Sequence, residues 1–188
     1  MSYPTSPKFS SVNIKGIDPT IFSQAVNGRM QSRKISAHRW EFTGVYPPLT
    51  RGEFAPVSGY IDSLRGRHTV FTVTPTELCN TTGTGTGTIT CGATNAGLSV
   101  VAVTGLTGTL KTGDFIKFSG HSKVYKLTAD RSGDGNIAIV PPLITALTTD
   151  TVVYNNVPFT VRLKNDIQSY RVGSDMLHMF EVDFMEAI

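Results

Sequence analysis

The sequence predicts a mainly β protein with one α-helix packed on a sheet, and three observations lead there. The 188 residues include 18 glycines and 10 prolines, with many threonines and only 16% charged residues. That balance suits strands joined by frequent turns better than a helical bundle. Residues 39–71, RWEFTGVYPPLTRGEFAPVSGYIDSLRGRHTVF, read as strand, helix, strand. Near the end of the chain, Phe180, Val182 and Phe184 alternate with Glu181 and Asp183, the period-two signature of a strand with one buried face.

Taken in order, MSYPTSPKFSSV has no basic region followed by an apolar one, so no secretion signal is expected. No window approaches the length of a membrane span. Residues 9–17 read as a first strand and residues 28–35 as a second, more basic one. Arg29, Arg33, Lys34, His38 and Arg39 then form a local basic run. Trp40, Phe42 and Tyr46 recur at period two, interrupted by Gly44, until Pro47 and Pro48 end the strand. Thr50 stands as an N-cap with Glu53 three residues on, and Leu49 and Phe54 occupy the two positions of a hydrophobic staple. A helix over residues 51–65 follows, with Phe54, Val57, Ile61 and Leu64 along one side and Gly66 as its stop. Pro56, beyond the first turn, predicts a kink or a 3₁₀ start. The next strand carries Phe71. The expected core around this helix is Trp40, Phe42, Phe54, Val57, Ile61, Leu64 and Phe71.

After residue 73 the composition changes. TPTELCNTTGTGTGTITCGATNAG is poor in charge and in large apolar residues, and it reads as a flexible hairpin or connector. It lacks the Lys-Ser/Thr pair of a phosphate loop. Its Cys79 and Cys91, the only cysteines, are expected as free thiols. From residue 98, LSVVAV, DFIKF, KVYKL and NIAIVPPL are short strands at close spacing, which suits a small barrel. Asp130 and Asp134 sit in a glycine-rich turn without the spacing of a calcium loop, and His121 falls in a turn where exposure is expected. FTVRL then restores clean alternation. The expected organisation is one β domain of residues 1–77 and 158–188, carrying an inserted β domain of residues 78–157.

No catalytic constellation is present: there is no GxSxG, no HExxH and no cysteine with a neighbouring histidine. No enzyme activity, metal or cofactor is therefore expected. A formal charge of +3 is modest for this length, so the basic run reads as a solvated face or a subunit contact and not as a nucleic-acid site. The acidic strand face of Glu181 and Asp183 reads in the same way.

The segments RWEFTGVYPPLTRGEF…GYIDSLRGRHTVF, LKTGDFIKFSGHSKVYKLTADRSGDGNIAIVPPL and FEVDFMEAI together resemble the distal tail and related baseplate-hub proteins of tailed bacteriophages. The likeness runs through most of the chain from Trp40 onward. It implies a tail-tube-like β-barrel or sandwich domain with one packed helix and a small inserted β-barrel. It also implies a homo-oligomeric ring, a hexamer, between tail tube and tail tip or baseplate, with DNA passing through it. The location implied is the virion tail, after synthesis in the host cytoplasm. In this structural reading, Arg29, Arg33, Lys34 and Arg39 meet Glu181, Asp183 and Glu186 across subunit boundaries. The alternative is a host-glycan-binding module, for which Tyr125 and Tyr154 are the candidate platforms.

Overall fold

The computed structural model describes residues 2–35, 38–76 and 78–188. The chain forms two compact units, one of Ser6–Thr69 with Arg162–Ala187, the other of Met1–Thr5 and Val70–Val161 with Ile188. Glu77, at the boundary expected from composition, lies outside the described residues.

Four strands precede the helix: β1 (Ser11–Ile17), β2 (Thr20–Gln24), β3 (Met30–Lys34) and β4 (Arg39–Val45). β1 and β4 pair antiparallel over their full length, from Ser11 opposite Val45 to Ile17 opposite Arg39. β2 and β3 make a separate two-stranded ribbon; the sequence showed β3 but not β2. In β4, Trp40, Phe42 and Gly44 face inward, with Tyr46 after them. Gly44 has a specific reason. A Cβ there would lie 2.5 Å from the ring of Phe9, which packs at 4.8 Å against Tyr46 and at 6.2 Å edge-on against Phe184.

Helix α1 (Arg51–Ser63) begins at Thr50 as its capping residues require. The Glu53 carboxylate accepts the Thr50 N–H at 2.9 Å and its O–H at 2.7 Å, and those two bonds hold the Glu53 pKa below the usual carboxylate value. Phe54, Val57, Ile61 and Leu64 are buried. Phe54 stacks on His178 at 4.7 Å and meets Phe180 edge-on at 5.5 Å, so this side of the helix lies on strand residues. Two expectations change. The helix is α from Arg51 with Pro56 inside it, so there is no 3₁₀ start. It also ends at Ser63, before residue 65: Arg65 and Gly66 are both left-handed (φ 54 and 65), and a 3₁₀ turn, Gly66–His68, follows. Arg67 N–H is then held by the Asp166 carboxylate at 3.0 Å.

β5 (Phe71–Val73) opens the second unit, and the Gly/Thr tract after it is more than a connector. Within it, β6 (Ile89–Cys91) is a barrel strand with Ile89 and Cys91 buried, and Thr86 exchanges backbone hydrogen bonds with Thr107. β7 (Val100–Thr104), β8 (Thr109–Leu110), β9 (Phe115–Phe118), β10 (Val124–Leu127), β11 (Arg131–Ser132), β12 (Gly135–Val140) and β13 (Thr151–Val153) complete the set. Six of them close a barrel in the order β10–β12–β7–β6–β13–β9, and β8 pairs with β11 as a side ribbon. The interior is filled by residues such as Ile89, Val101, Ile116, Phe118, Tyr125, Leu127 and Ile137, as small barrels require. Cys79 and Cys91 are buried and form no disulfide, and burial raises the Cys91 pKa.

One carboxylate ties the start of the Gly/Thr tract to this barrel. Asp114, just before β9, is buried and accepts hydrogen bonds from the Thr81 hydroxyl, from the N–H and hydroxyl of Thr82 at 2.9 and 2.8 Å, and from Lys111 N–H at 3.0 Å. Burial alone would raise its pKa, but these donors outweigh it and the net shift is downward. The stabilisation is therefore fully present above the ordinary aspartate value of about 3.9 and fades as pH falls through the lowered one. Asp114→Asn should cost about 1–3 kcal/mol at neutral pH, because the amide keeps one acceptor oxygen and turns an NH2 toward two of the four donors. Thermal melts of the two forms at pH 7 and in acid should converge as the pH drops. A gap that stays constant would show that ionisation of Asp114 contributes nothing.

β14 (Phe159–Leu163), β15 (Tyr170–Val172) and β16 (His178–Glu186) finish the chain. Phe159–Val161 of β14 pair with β5. In the first unit, β16 lies against β4, with Glu181 opposite Val45 and Phe184 opposite Phe42, and β15 joins its beginning. On its other side, Lys164 N–H donates to the Asp183 carbonyl at 3.0 Å.

Candidate subunit interface

The β2–β3 ribbon is the feature of the first unit that packing in its own chain explains least. Every residue of both strands is exposed. Ile21, Phe22, Val26 and Met30 are large apolar side chains held in water, Phe22 at 62% and Met30 at 63% exposure. Their register is defined: Phe22 faces Ser32, Gln24 faces Met30 and Ile21 faces Arg33. Phe22 and Met30 therefore share one face as diagonal neighbours, while Ile21 and Arg33 share the other. The connecting turn is closed by Ala25 N–H to Arg29 C=O and Gly28 N–H to Ala25 C=O, both 2.9 Å. A two-stranded hairpin alone in water is marginal at best. The exposed apolar side chains of this ribbon make it the candidate contact surface of the unit.

The sequence-predicted basic residues divide here by whether they have a partner in their own chain. Arg29 and Arg33 flank the exposed hydrophobics of the ribbon with no ion pair among the described residues, whereas Lys34 pairs with Asp18 at 3.2 Å. Arg39 begins β4, with its Nε 3.8 Å from Glu41. The Glu41 carboxylate also receives Lys164 Nζ at 2.7 Å, which raises the Lys164 pKa.

The acidic residues of β16 do not form the single exposed face that alternation suggested. Glu181 is exposed. Asp183 is half-buried and accepts the Thr43 hydroxyl and, at 3.2 Å, the Asn165 amide. Glu186 is buried, on the same side as Phe180, Val182 and Phe184, and its carboxylate accepts Trp40 N–H at 3.0 Å. Its expected place at a subunit contact is thus corrected: it fastens the end of β16 to the start of β4. All seven predicted core residues, Trp40, Phe42, Phe54, Val57, Ile61, Leu64 and Phe71, are buried.

Of the two tyrosines proposed as glycan platforms, Tyr125 is not available for stacking and Tyr154 is half-buried. Tyr125 is fully buried in the barrel, with its hydroxyl 3.1 Å from His121 Nδ1 and accepting Ile144 N–H at 3.4 Å. His121 is accordingly a partner of that core tyrosine and not simply an exposed turn residue. Tyr154 packs against the barrel core and donates its hydroxyl to the Gly87 carbonyl at 2.8 Å. Among the described residues, no cluster of His, Cys, Asp or Glu could hold a metal ion, and no helix is long and apolar enough to cross a membrane.

The first unit also has a groove of about 450 Å³ where the end of β4, β15 and the start of β16 come together. Tyr46, Pro48, Tyr170, Arg171, Met179 and Glu181 are among the residues that line it. Sequence reasoning missed both the ribbon hydrophobics and this groove. A signal for the ribbon existed: Ile21-Phe22, the Asn27-Gly28 turn pair and Met30 make a short hairpin pattern.

Comparison with known proteins finds a match to the second unit and a match over most of the chain. The family model described as the B domain of distal tail protein pb9 matches residues 79–157. Over 172 residues the chain is 32% identical to distal tail protein pb9 of Escherichia phage T5, covering 84% of this chain and 80% of that protein.

Proposed function

The chain belongs to the family of phage distal tail proteins that includes pb9, and from that premise we propose that it is a ring-forming structural protein of the virion tail. In this role it assembles as a homo-oligomer, a hexamer, between the tail tube and the tip or baseplate proteins, and DNA passes through the ring. Its work lies in its surfaces and not in a reaction. The observation that carries the reading is the relationship over more than four-fifths of the chain. The exposed β2–β3 ribbon supports it, because a separate ribbon that leaves its apolar residues in water is the kind of element a neighbouring subunit covers. The glycan-binding alternative loses Tyr125, which is fully buried, and keeps Tyr154 only as a half-buried ring whose hydroxyl is bonded to the Gly87 carbonyl.

Arg33 and Glu181 are the charges best suited to set the register of such a ring. Arg39 and Asp183 have partners in their own chain, whereas Arg33 and Glu181 are exposed with no ion pair among the described residues. Arg33→Glu is expected to weaken the ring and make it more sensitive to salt, and adding Glu181→Arg should restore part of the loss. Each exposed pair contributes only about 0.2–1 kcal/mol, but a ring repeats the contact at every interface. Sedimentation of assembled particles across a salt series measures this. Loss without rescue rejects the pairing. Electron microscopy of assembled tails tests the ring itself, and a single copy per tail would reject it.

A further inference from the structure

We infer that the β2–β3 ribbon is an arm that seats its Phe22–Met30 face in the Tyr46–Tyr170–Met179 groove of a second copy of this chain. The inference rests on the ring reading above and assigns its interface.

Both halves of the contact are present in one unit and chemically matched. The ribbon offers two adjacent apolar side chains on one face, each more than half exposed, and both are flexible or flat enough to enter a shallow site. The groove offers two tyrosine rings, a proline and a methionine that is 47% exposed, in a volume typical of sites that bury a side chain or ligand. Tyr170 is itself held by Phe54 at 4.8 Å, so the groove wall is supported from below by the helix. At its rim, Glu181 is an exposed carboxylate without an ion pair among the described residues. The ribbon's unpaired charges are both positive: Arg29 precedes Met30 and Arg33 follows Ser32, whereas its only acid in this stretch, Asp18, is taken by Lys34. The ribbon's cations therefore have a carboxylate to meet at the groove, Glu181, which shares the lining with one exposed cation, Arg171.

The identity of the occupant follows from the same arrangement. Knob and hole sit on different surfaces of one chain, so the contact between copies is heterologous, and a heterologous contact that closes produces a ring. Buried aromatic and methionine anchors ringed by charge are also the composition that carries most of the energy in stable protein interfaces.

The test is photo-crosslinking in assembled tails. Phe22 is replaced by p-benzoylphenylalanine, the tails are irradiated, and linked peptides are mapped by mass spectrometry. The expected product migrates at a multiple of the chain mass and joins position 22 of one copy to residues 169–181 of another. The same probe at Met179 approaches from the groove side and should capture residues 20–34, which covers the case in which the Phe22 variant fails to assemble. Links from these probes to a different tail protein, or to other segments of this chain, would overturn the arm-in-groove contact. So would the absence of links in tails whose micrographs show the ring. Micrographs without a ring would instead sink the ring reading, and the arm would fall with it.

Discussion

Leu64→Ala is expected to destabilise the helix-bearing unit by about 2–5 kcal/mol, the range for removing a fully buried leucine whose site only partly collapses. Leu64 is completely buried at the C-terminal cap of α1, in line with Phe54, Val57 and Ile61. The helix has little else to hold it. Its 13 residues include two glycines and a proline, so its intrinsic propensity is poor and its persistence depends on the apolar side it packs. Trp40 is the only tryptophan and belongs to the same unit, so its fluorescence reports the relevant transition. The urea midpoint read from Trp40 should fall sharply while the slope is kept, which marks lost stability and not a changed unfolded state. A shift within half a kcal/mol would mean that the packing of this face does not hold the unit together.

How much could be read in advance depended on how local the determining interactions were. Thr50 and Glu53 settle the start of α1 within four residues, so the cap was legible. The alternation of Phe180, Val182 and Phe184 was equally plain, and two residues further on it puts Glu186 on the buried face; counting Glu186 among the interface acids went against that pattern, and its carboxylate sits inside because the Trp40 N–H meets it. β6 was opaque for the opposite reason. It has two buried side chains, Ile89 and Cys91, and its strand character comes from β7 and from β13 some sixty residues away. Tyr125 read as a surface platform because barrel closure buries both faces of β9 and most of β10. Even Lys117 is buried there, its ammonium donating to the Pro158 carbonyl at 3.0 Å and the Thr160 hydroxyl at 2.9 Å. Of the interface, the charges were visible as a run, but which of them lack a partner in their own chain is a property of the folded unit alone.

Gly105→Ala should be among the most damaging changes in the barrel, costing about 3 kcal/mol or more. Two effects add at this position, and the molecule carries a control that separates them. Gly105 follows β7 in the left-handed region (φ 85), and a Cβ there would sit 2.4 Å from the carbonyl oxygen of Thr88, which leads into β6. Gly97 has nearly the same backbone conformation (φ 86), but a Cβ on it would meet nothing within 4 Å. Gly97→Ala therefore reports the conformational penalty alone, about 1–2 kcal/mol. The obstacle at Gly105 is backbone, and it cannot turn aside as a side chain would. Relieving it means moving the entry to β6, which is hydrogen-bonded to both β7 and β13. Hydrogen exchange at the amides of β6 and β7 measures both variants in the full chain, because these strands should lose protection together when their shared crossing is pushed apart. Equal losses for Gly97→Ala and Gly105→Ala would show that the tract yields at this crossing, and that the Thr/Gly run is the loose connector its composition suggests.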